Sequence, residues 1–475
     1  MSRQLILKME EKYQDYLHDE SKLAGKAESI SFPESEEDII EVISAMAECD
    51  LQITIQGGKT GIVGAAVPLY GHILNMSKMD RIIGFVKTGD GKNLLKVQPG
   101  ITLMELKKAI KRLNVKKELF WPPNPTEPTA TLGGIAACDA KGINTCLYGD
   151  TRDYIEGARI VRADRTVMEI VRGAERVQLN GREIDLLDLF IGGEGLFGVI
   201  SELTLTLVPK YSEEWGICFF FDDKADVFSF AEELKKLELK QDGACIAAAE
   251  YIDRTAIDLI EERKPVMTTI KHLPDVDKAA AAMVYIELHG TGEEAIEIQA
   301  EALMELAVEH NSDPDRAWAV SGESEIEKLR AFRHAAPESV NLLIEAIRQK
   351  HEGVTKLSTD MSLEVTTFEE AVAKYEKDID EQGLRACIFG HIFENHLHVN
   401  ILPGSFEEYK KGLDLIEKWA REVSECHGQI VTEHGVGKLK KSIFLKNTPV
   451  EYINEIKKLK NAYDPSGLWN PGNML

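Results

Sequence analysis

Apolar residues recur along this chain in two alternating rhythms. Ser35-Glu36-Glu37-Asp38 leads into Ile39 to Ala47, an apolar-faced run with an acidic first turn, which predicts a helix. Leu51 to Ile55 predicts a short strand that runs into Gly57-Gly58-Lys59-Thr60-Gly61-Ile62-Val63-Gly64. Further strands are expected at Ile73–Met76 and Leu94–Val97, then a helix over Leu103–Leu113. Trp121 to Gly149 is rich in Pro, Gly and Thr and has no period; a long irregular stretch of this kind is usually functional. Ile155–Val161 and Val167–Val171 read as paired strands. Phe190–Val208 reads as a glycine-rich turn and then a strand alternating over Ile200–Leu207, stopped by Pro209.

After Tyr211 the character changes. Strands at Gly216–Phe221, Ala244–Ala249 and Met283–Leu288 alternate with helices over Lys224–Leu237 and Glu293–His310, as in a second domain. Phe368–Ile379, Ala386–Phe389 and Tyr409–Cys426 continue the mixture, and a short segment ending Asn470-Pro471-Gly472 closes the chain.

A length of 475 residues calls for two or three domains. The net charge of −24 argues against nucleic acid, whose phosphates need basic patches. No apolar run is long enough to span a bilayer, and Met1 to Leu17 lacks an apolar signal core. A cytoplasmic protein is expected. The seven cysteines include no C-x-x-C pair and no group of four, so an iron–sulfur cluster is not expected, and they read as reduced core thiols.

Two histidine-bearing stretches carry the densest chemistry: His391-Ile392-Phe393-Glu394-Asn395-His396-Leu397-His398-Val399-Asn400 and Glu433-His434-Gly435-Val436-Gly437. Imidazoles plus a carboxylate, with a further imidazole nearby, are the parts of a catalytic divalent-metal site. On one helix His391 and His398 would stand ~10.5 Å apart, too far for a single ion. A hairpin turning at Phe393-Glu394-Asn395 solves this by letting the two face each other across the ladder, with Cβ atoms ~4.5–5.5 Å apart. The period of two then puts His396, His398 and Asn400 on one face.

The glycine loop after Ile55 offers backbone N–H groups that can cradle a pyrophosphate. Its spacing is neither that of a P-loop nor that of a Rossmann fingerprint. Gln98-Pro99-Gly100, Pro123-Asn124-Pro125, Thr129-Ala130-Thr131-Leu132-Gly133-Gly134, Tyr148-Gly149 and Gly193-Glu194-Gly195-Leu196-Phe197-Gly198-Val199-Ile200 follow in order. With Glu433-His434-Gly435 and Asp464 to Gly472, this string resembles the vanillyl-alcohol oxidase superfamily over nearly the whole chain. The branch of D-lactate, glycolate and D-2-hydroxyglutarate dehydrogenases is the closest in motif.

The resemblance implies an α+β fold: a PCMH-type FAD-binding domain of two α+β subdomains over 1–210, and an α+β substrate (cap) domain with an antiparallel sheet over 211–420. A C-terminal segment, 421–475, would return to the flavin. By the same resemblance, Gly57, Gly58, Lys59, Thr60, Gly61 and Gly64 would hold the FAD pyrophosphate. Thr129, Gly133, Gly134 and Asp139 would line the flavin and its ribityl chain, Glu194, Gly195, Val199 and Ile200 would lie toward the adenosine, and Pro123, Thr131, Gly142 and Tyr148 would be further cofactor contacts. Asn470 would approach the isoalloxazine. Asp139 stands where the family usually has Asn, and Lys141 where it has Gly; a carboxylate beside the flavin would disfavour the anionic reduced form. The loop has no attachment histidine, so FAD is expected to be non-covalent.

His391, His398 and Glu433 are implied as ligands of a divalent cation (Zn, Mn or Fe), and His434 as the base. Asn400 is implied as a substrate contact and Arg333 as the guanidinium for a carboxylate. Lys356 is a further candidate, at a spacing that departs from the family's. His396 replaces the family's Asn and is open to two roles, a further ligand or a second proton acceptor. The expected activity is oxidation of a small D-2-hydroxy acid to the 2-oxo acid by hydride transfer to flavin N5. The external electron acceptor would be a quinone, a cytochrome or an electron-transferring flavoprotein, and there is room for a homodimer. The rivals are an alkylglycerone-phosphate synthase-like transferase and a non-catalytic flavin subunit of an oxidase complex.

Overall fold

A serine starts the first helix and an apolar stripe seats it. In this computed structural model, which describes residues 4–241, 243–363 and 366–475, the Ser35 hydroxyl accepts from the Asp38 N–H. The stripe is Ile39, Val42, Ile43 and Met46. Contacts divide the chain into two units. One is Met1–Gly142, Gly149–Lys210 and Glu433–Leu475; the other is Ile143–Tyr148 and Tyr211–Thr432.

In the first unit, β1 (Ser29–Ser31), α1 (Glu36–Glu48), β2 (Ile53–Gln56) and β3 (His72–Asn75) open the fold. β3 lies between β1 and β2 and is parallel to both, and Leu7–Lys8 pairs antiparallel with β1. A second, antiparallel sheet is built from β4 (Ile82–Lys87), β5 (Asn93–Val97), β6 (Ile155–Val161), β7 (Val167–Val171) and β8 (Val199–Pro209). Its order is β4-β5-β8-β6-β7. Along β8, Leu203, Leu205 and Leu207 are buried and the threonines between them half-buried, which is the predicted alternation. These leucines share a core with Leu103 and Leu106 of α2 (Leu103–Lys111) and Leu132 and Ile135 of α3 (Leu132–Cys138).

The second unit is one antiparallel sheet of nine strands among the described residues. The elements are β9 (Glu213–Phe221), α4 (Lys224–Lys236), β10 (Ala244–Asp253), α5 (Arg254–Arg263), β11 (Ala282–Gly290), α6 (Glu293–Glu309), β12 (Trp318–Ser321) and α7 (Glu323–Arg348). They continue with β13 (Leu357–Ser358), β14 (Met361–Ser362), α8 (Phe368–Glu381), β15 (Ala386–His391), β16 (His396–Ile401) and α9 (Phe406–Glu425). The order is β12-β9-β11-β10-β15-β16-β13, with β14 also on β16 and the two-residue strand Lys240–Gln241 on β10. β10 and β11 are buried along their whole length, apolar runs interrupted by Glu250 and Asp253 in the first and by Glu287 and His289 in the second. Ile257 and Ile260 of α5 and Leu329 and Phe332 of α7 pack with Cys218, Ile252, Tyr285 and Phe389. On the other side Phe230 of α4 meets Phe219 and Phe221.

The structure departs from the expected pattern in several places. The stretch over 121–149 holds α3, which two glycines in seven residues conceal from any period search. α7 runs twenty-six residues with Pro337 inside it, and its buried Arg330, Arg333 and Ser339 break the apolar stripe. Ile143–Tyr148 leaves the first unit because Asn144 donates to Glu287 at 3.1 Å and the Tyr148 hydroxyl meets His289 Nδ1 at 2.6 Å. Residues 421–432 stay with the second unit, where Gln429 and Ser362 exchange backbone bonds of 2.9 and 3.1 Å. Cys49 and Cys426 are exposed rather than core thiols, since each closes the end of an amphipathic helix.

Candidate active site

The second unit gathers most of the chemistry on the sheet face beneath α7. Residues directly opposite in paired strands share a face. Glu250 of β10 is opposite His391 of β15, which is opposite His396 of β16. His398 is opposite Phe389, and Asn400 is opposite Cys387. The hairpin thus forms, but its register corrects the expected pairing: His391 faces His396, and His398 sits one same-face step along. Asn395 ends the turn at φ +45°, a left-handed position that Asn tolerates as Gly does. Its amide donates to the Leu363 and Thr366 carbonyls at 2.8 and 2.6 Å.

A ring nitrogen from each of His391, His396 and His398 lies within 4.8 Å of the others. Bonds of ~2.0–2.1 Å to one ion hold ligand nitrogens up to ~4.2 Å apart, so the three need close only slightly to share a cation. Glu250, fully buried, meets His391 Nδ1 and accepts from Arg333 Nε at 2.7 Å. Burial alone would raise its carboxyl, but His391 and Arg333 outweigh burial and lower it to about 2. Arg333 is 5% exposed and lies 4.8 Å over the Phe389 ring. Its Nη1 and Nη2 have no hydrogen-bond partner among the described residues. Asn400 gives its Nδ2 to the His398 carbonyl, and its buried Oδ1 has no partner among them. Lys356 is half-buried just before β13, whose Ser358 pairs with Asn400.

One helical turn from Arg333, Arg330 repeats the arrangement. It grips Glu287 through Nε, at 2.8 Å, and Nη2, and Glu287 also meets His289 Nε2 at 2.8 Å. Sequence reasoning missed Glu250, Glu287 and His289. Buried carboxylates in otherwise apolar strands were the available signal, since an unpaired charge is not tolerated there.

In the first unit, Glu433 and His434 sit on a turn with positive φ at Gly435 (+76°) and Gly437 (+53°). The turn is wrapped around a buried anion: the Glu194 carboxylate accepts from the N–H groups of Val436 and Gly437 at 2.5 and 2.9 Å. His434 Nε2 lies 3.0 Å from Glu433 Oε1, and Cys138 Sγ donates to the Glu433 carbonyl at 3.3 Å. Asn470 ties this assembly to β2, accepting from Ile55 N at 2.7 Å and donating to the Glu194 carbonyl at 2.5 Å. The side chains of Glu194 and Asn470 are therefore engaged in holding the turn.

The glycine loop follows β2 and presses on the start of α3. A Cβ at Gly57 would sit 2.1 Å from Thr131 Oγ1, and one at Gly58 2.7 Å from the Thr129 carbonyl. Gly58 and Gly61 are exposed backbone, and nothing lies within 4 Å of a Cβ at Gly61. Gly64 and Gly195 take positive φ, Gly133 packs on Pro99, Gly134 lies by Thr131 Oγ1, and Gly142 lies on Asn124. Pro123 is buried and Thr60 half-buried. Lys59 points to the Asp15 carbonyl, 4.6 Å over the Tyr16 ring. Val199 and Ile200 are buried at the start of β8 with their side chains in two apolar cores. Tyr148 folds into the second unit. Asp139 ends α3 at φ +53°, and its carboxylate accepts from Arg152 N and Nε at 2.9 and 2.6 Å. Its carboxylate is thereby paired with a guanidinium. Lys141 pairs with Asp150 at 3.0 Å.

Comparison with known proteins identifies the family and the fold. A family described as FAD linked oxidases, C-terminal domain, matches residues 217–474, and one described as FAD binding domain matches 27–170. The chain is 27% identical to a D-lactate dehydrogenase of Anaerostipes hadrus, over 98% of this chain and 94% of that protein. It is 24% identical to the glycolate oxidase subunit GlcD of Bacillus subtilis, over 94% and 89%. Against the mitochondrial D-2-hydroxyglutarate dehydrogenase of Danio rerio it is 25% identical, over 94% and 78%. Among solved structures, p-cresol methylhydroxylase superposes with a TM-score of 0.71 at 17% identity, covering 99% of this chain and 93% of that one. An alkyldihydroxyacetonephosphate synthase superposes with 0.64 at 17%, over 95% and 77%. At these identities the superpositions speak for the fold alone.

Proposed function

The chain belongs to the FAD-linked oxidases, and on that footing we propose that it oxidises a small D-2-hydroxy acid to the 2-oxo acid with the help of a divalent cation. FAD, when bound, supplies the hydride acceptor. The bare backbone at Gly58 and Gly61, and a loop too tightly packed to admit a Cβ at Gly57, suit a pyrophosphate. Gly57 to Gly61, Gly64, Thr129, Thr131, Gly133 and Gly134 are the residues assigned to it, non-covalently. His391, His398 and Glu433 are assigned to the cation, which would supply Lewis acidity toward the substrate hydroxyl.

The observation that carries the reading is Arg333. A guanidinium 5% exposed, held at Nε by Glu250 and with both Nη groups open, is prepared for a planar carboxylate. Glu250 fixes its plane, so little ordering remains when the substrate arrives. Asn400 Oδ1, buried without a partner, suits the α-hydroxyl proton donor of the same molecule. His434 would then take that proton on a ring nitrogen, which neutral imidazole does near physiological pH.

The relatives named for D-lactate, glycolate and D-2-hydroxyglutarate bracket the substrate class. Electrons are proposed to leave to an external quinone, cytochrome or flavoprotein. No helix among the described residues is long and apolar enough to cross a membrane; a cytoplasmic location is part of the proposal. Anaerobic mixing with a panel of D- and L-2-hydroxy acids should bleach the flavin for D-enantiomers only, and an artificial dye should then sustain turnover. Bleaching by none of them would leave the transferase or the silent subunit as the reading.

A further inference from the structure

We propose that His396 is a third imidazole ligand of the cation site, oriented for it by Asp360. The inference rests on the metal reading above and concerns a residue at which this chain departs from the motif it resembles.

Three observations carry it. First, His396 lies on the same face of the hairpin as His391 and His398. Its ring centroid is 5.1 Å from that of His391 and 4.7 Å from that of His398. Second, its Nε2 is 3.1 Å from Asp360 Oδ1, and both residues are almost fully buried, at 2% and 1% exposed. A carboxylate on one ring nitrogen fixes the tautomer and leaves the lone pair on the other, the arrangement that orients metal-bound histidines. Glu250 does the same for His391. Third, the other nitrogen of His396, Nδ1, has no hydrogen-bond partner among the described residues.

Asp360 is itself well placed for the task. It lies between β13 and β14, both paired to β16; Ser362 is opposite His396, and Thr432 Oγ1 donates to the Asp360 carbonyl at 3.1 Å. Another buried histidine of this protein has different partners. His72 is buried in β3 with a serine hydroxyl on Nδ1 at 2.8 Å. Its Nε2 has no partner among the described residues, and burial lowers its pKa to about 4. His396 instead has a carboxylate and two neighbouring imidazoles.

A third neutral nitrogen leaves the charge of the ligand set unchanged and raises its nitrogen content. Nitrogen donors favour Zn²⁺ over Mn²⁺, so His396 should shift the preference toward zinc. The role as a second proton acceptor predicts no such shift.

The test uses the full-length, FAD-loaded protein stripped of metal. Zn²⁺, Mn²⁺ and Co²⁺ are titrated against a competing chelator for the wild type, His396→Asn, His396→Gln, Asp360→Asn and His391→Asn. FAD content and thermal midpoint serve as controls for folding. Both His396 variants should bind Zn²⁺ about 10–100-fold more weakly, and Asp360→Asn about tenfold. The loss for Mn²⁺ should be smaller, and the visible Co²⁺ bands should move. Wild-type affinity and an unchanged Co²⁺ spectrum in both His396 variants, with His391→Asn still weakened, would overturn the inference and leave the metal reading standing. A wild type that takes up no cation would overturn both.

Discussion

Arg333 and Glu250 show how one contact can serve two ends. The carboxylate that steadies the guanidinium also meets His391 Nδ1, so the guanidinium proposed for the substrate and the imidazole proposed for the metal are aligned by the same buried group. Arg333→Lys would keep the charge but lose the fork. We expect kcat/KM to fall ~10–100-fold, from ~1.5–3 kcal/mol per charged hydrogen bond, with FAD content unchanged; an unaltered value would remove Arg333 from substrate binding. Glu433 and His434 are adjacent yet are assigned opposite roles. His434→Ala should slow flavin reduction ~10²–10⁴-fold with metal content intact, whereas Glu433→Ala should lose the metal. Single-turnover bleaching and metal analysis decide the pair, and the reverse pattern would exchange the two roles.

At the scale of elements, the Glu433–Gly437 turn exists because a buried carboxylate fills it. Glu194→Gln replaces one acceptor oxygen by an amide NH2, a donor that cannot accept from Val436 or Gly437. The variant should keep FAD and reduce it at least tenfold more slowly, at nearly unchanged KM; loss of FAD in step with activity would make Glu194 a cofactor residue instead. β11 and α7 depend on a second buried anion. Burial would raise the Glu287 carboxyl, but Arg330 and the bond to His289 hold it well below its usual value. A folded-state pKa below the unfolded one contributes stability that is present above about pH 4.5 and lost as pH falls. Glu287→Gln should therefore cost ~3–5 kcal/mol at pH 7, by stranding Arg330. Urea unfolding should show the gap to wild type narrowing toward pH 3. A gap independent of pH would mean that the pair contributes through packing alone.

For the whole molecule, cofactor and cation are assigned largely to different units: the glycine loop lies in the first, and the clustered histidines lie in the second. Acid precipitation should release FAD into the supernatant, since no histidine stands in the loop. Chelation should abolish turnover while FAD stays bound. Flavin left in the pellet would show a covalent link, and full activity in a demonstrably metal-free preparation would remove the Lewis acid.

Much of this was legible in the amino-acid sequence, because the signals are local. Strand alternation in β8, the start of α1 at Ser35, the glycine loop and the hairpin about Asn395 each depend on neighbours a few residues apart, and the ordered motifs led to the flavin family. The register of the hairpin, the matching of Asp139 by Arg152 and the engagement of Glu194 by Val436 and Gly437 required the fold. So did the pairing of Arg333 with Glu250, eighty-three residues away in the chain. Each of these joins a buried charge or backbone dipole to a partner on another element. A buried charge must find such a partner, but which one it finds depends on which strands lie side by side, and only the tertiary structure decides that.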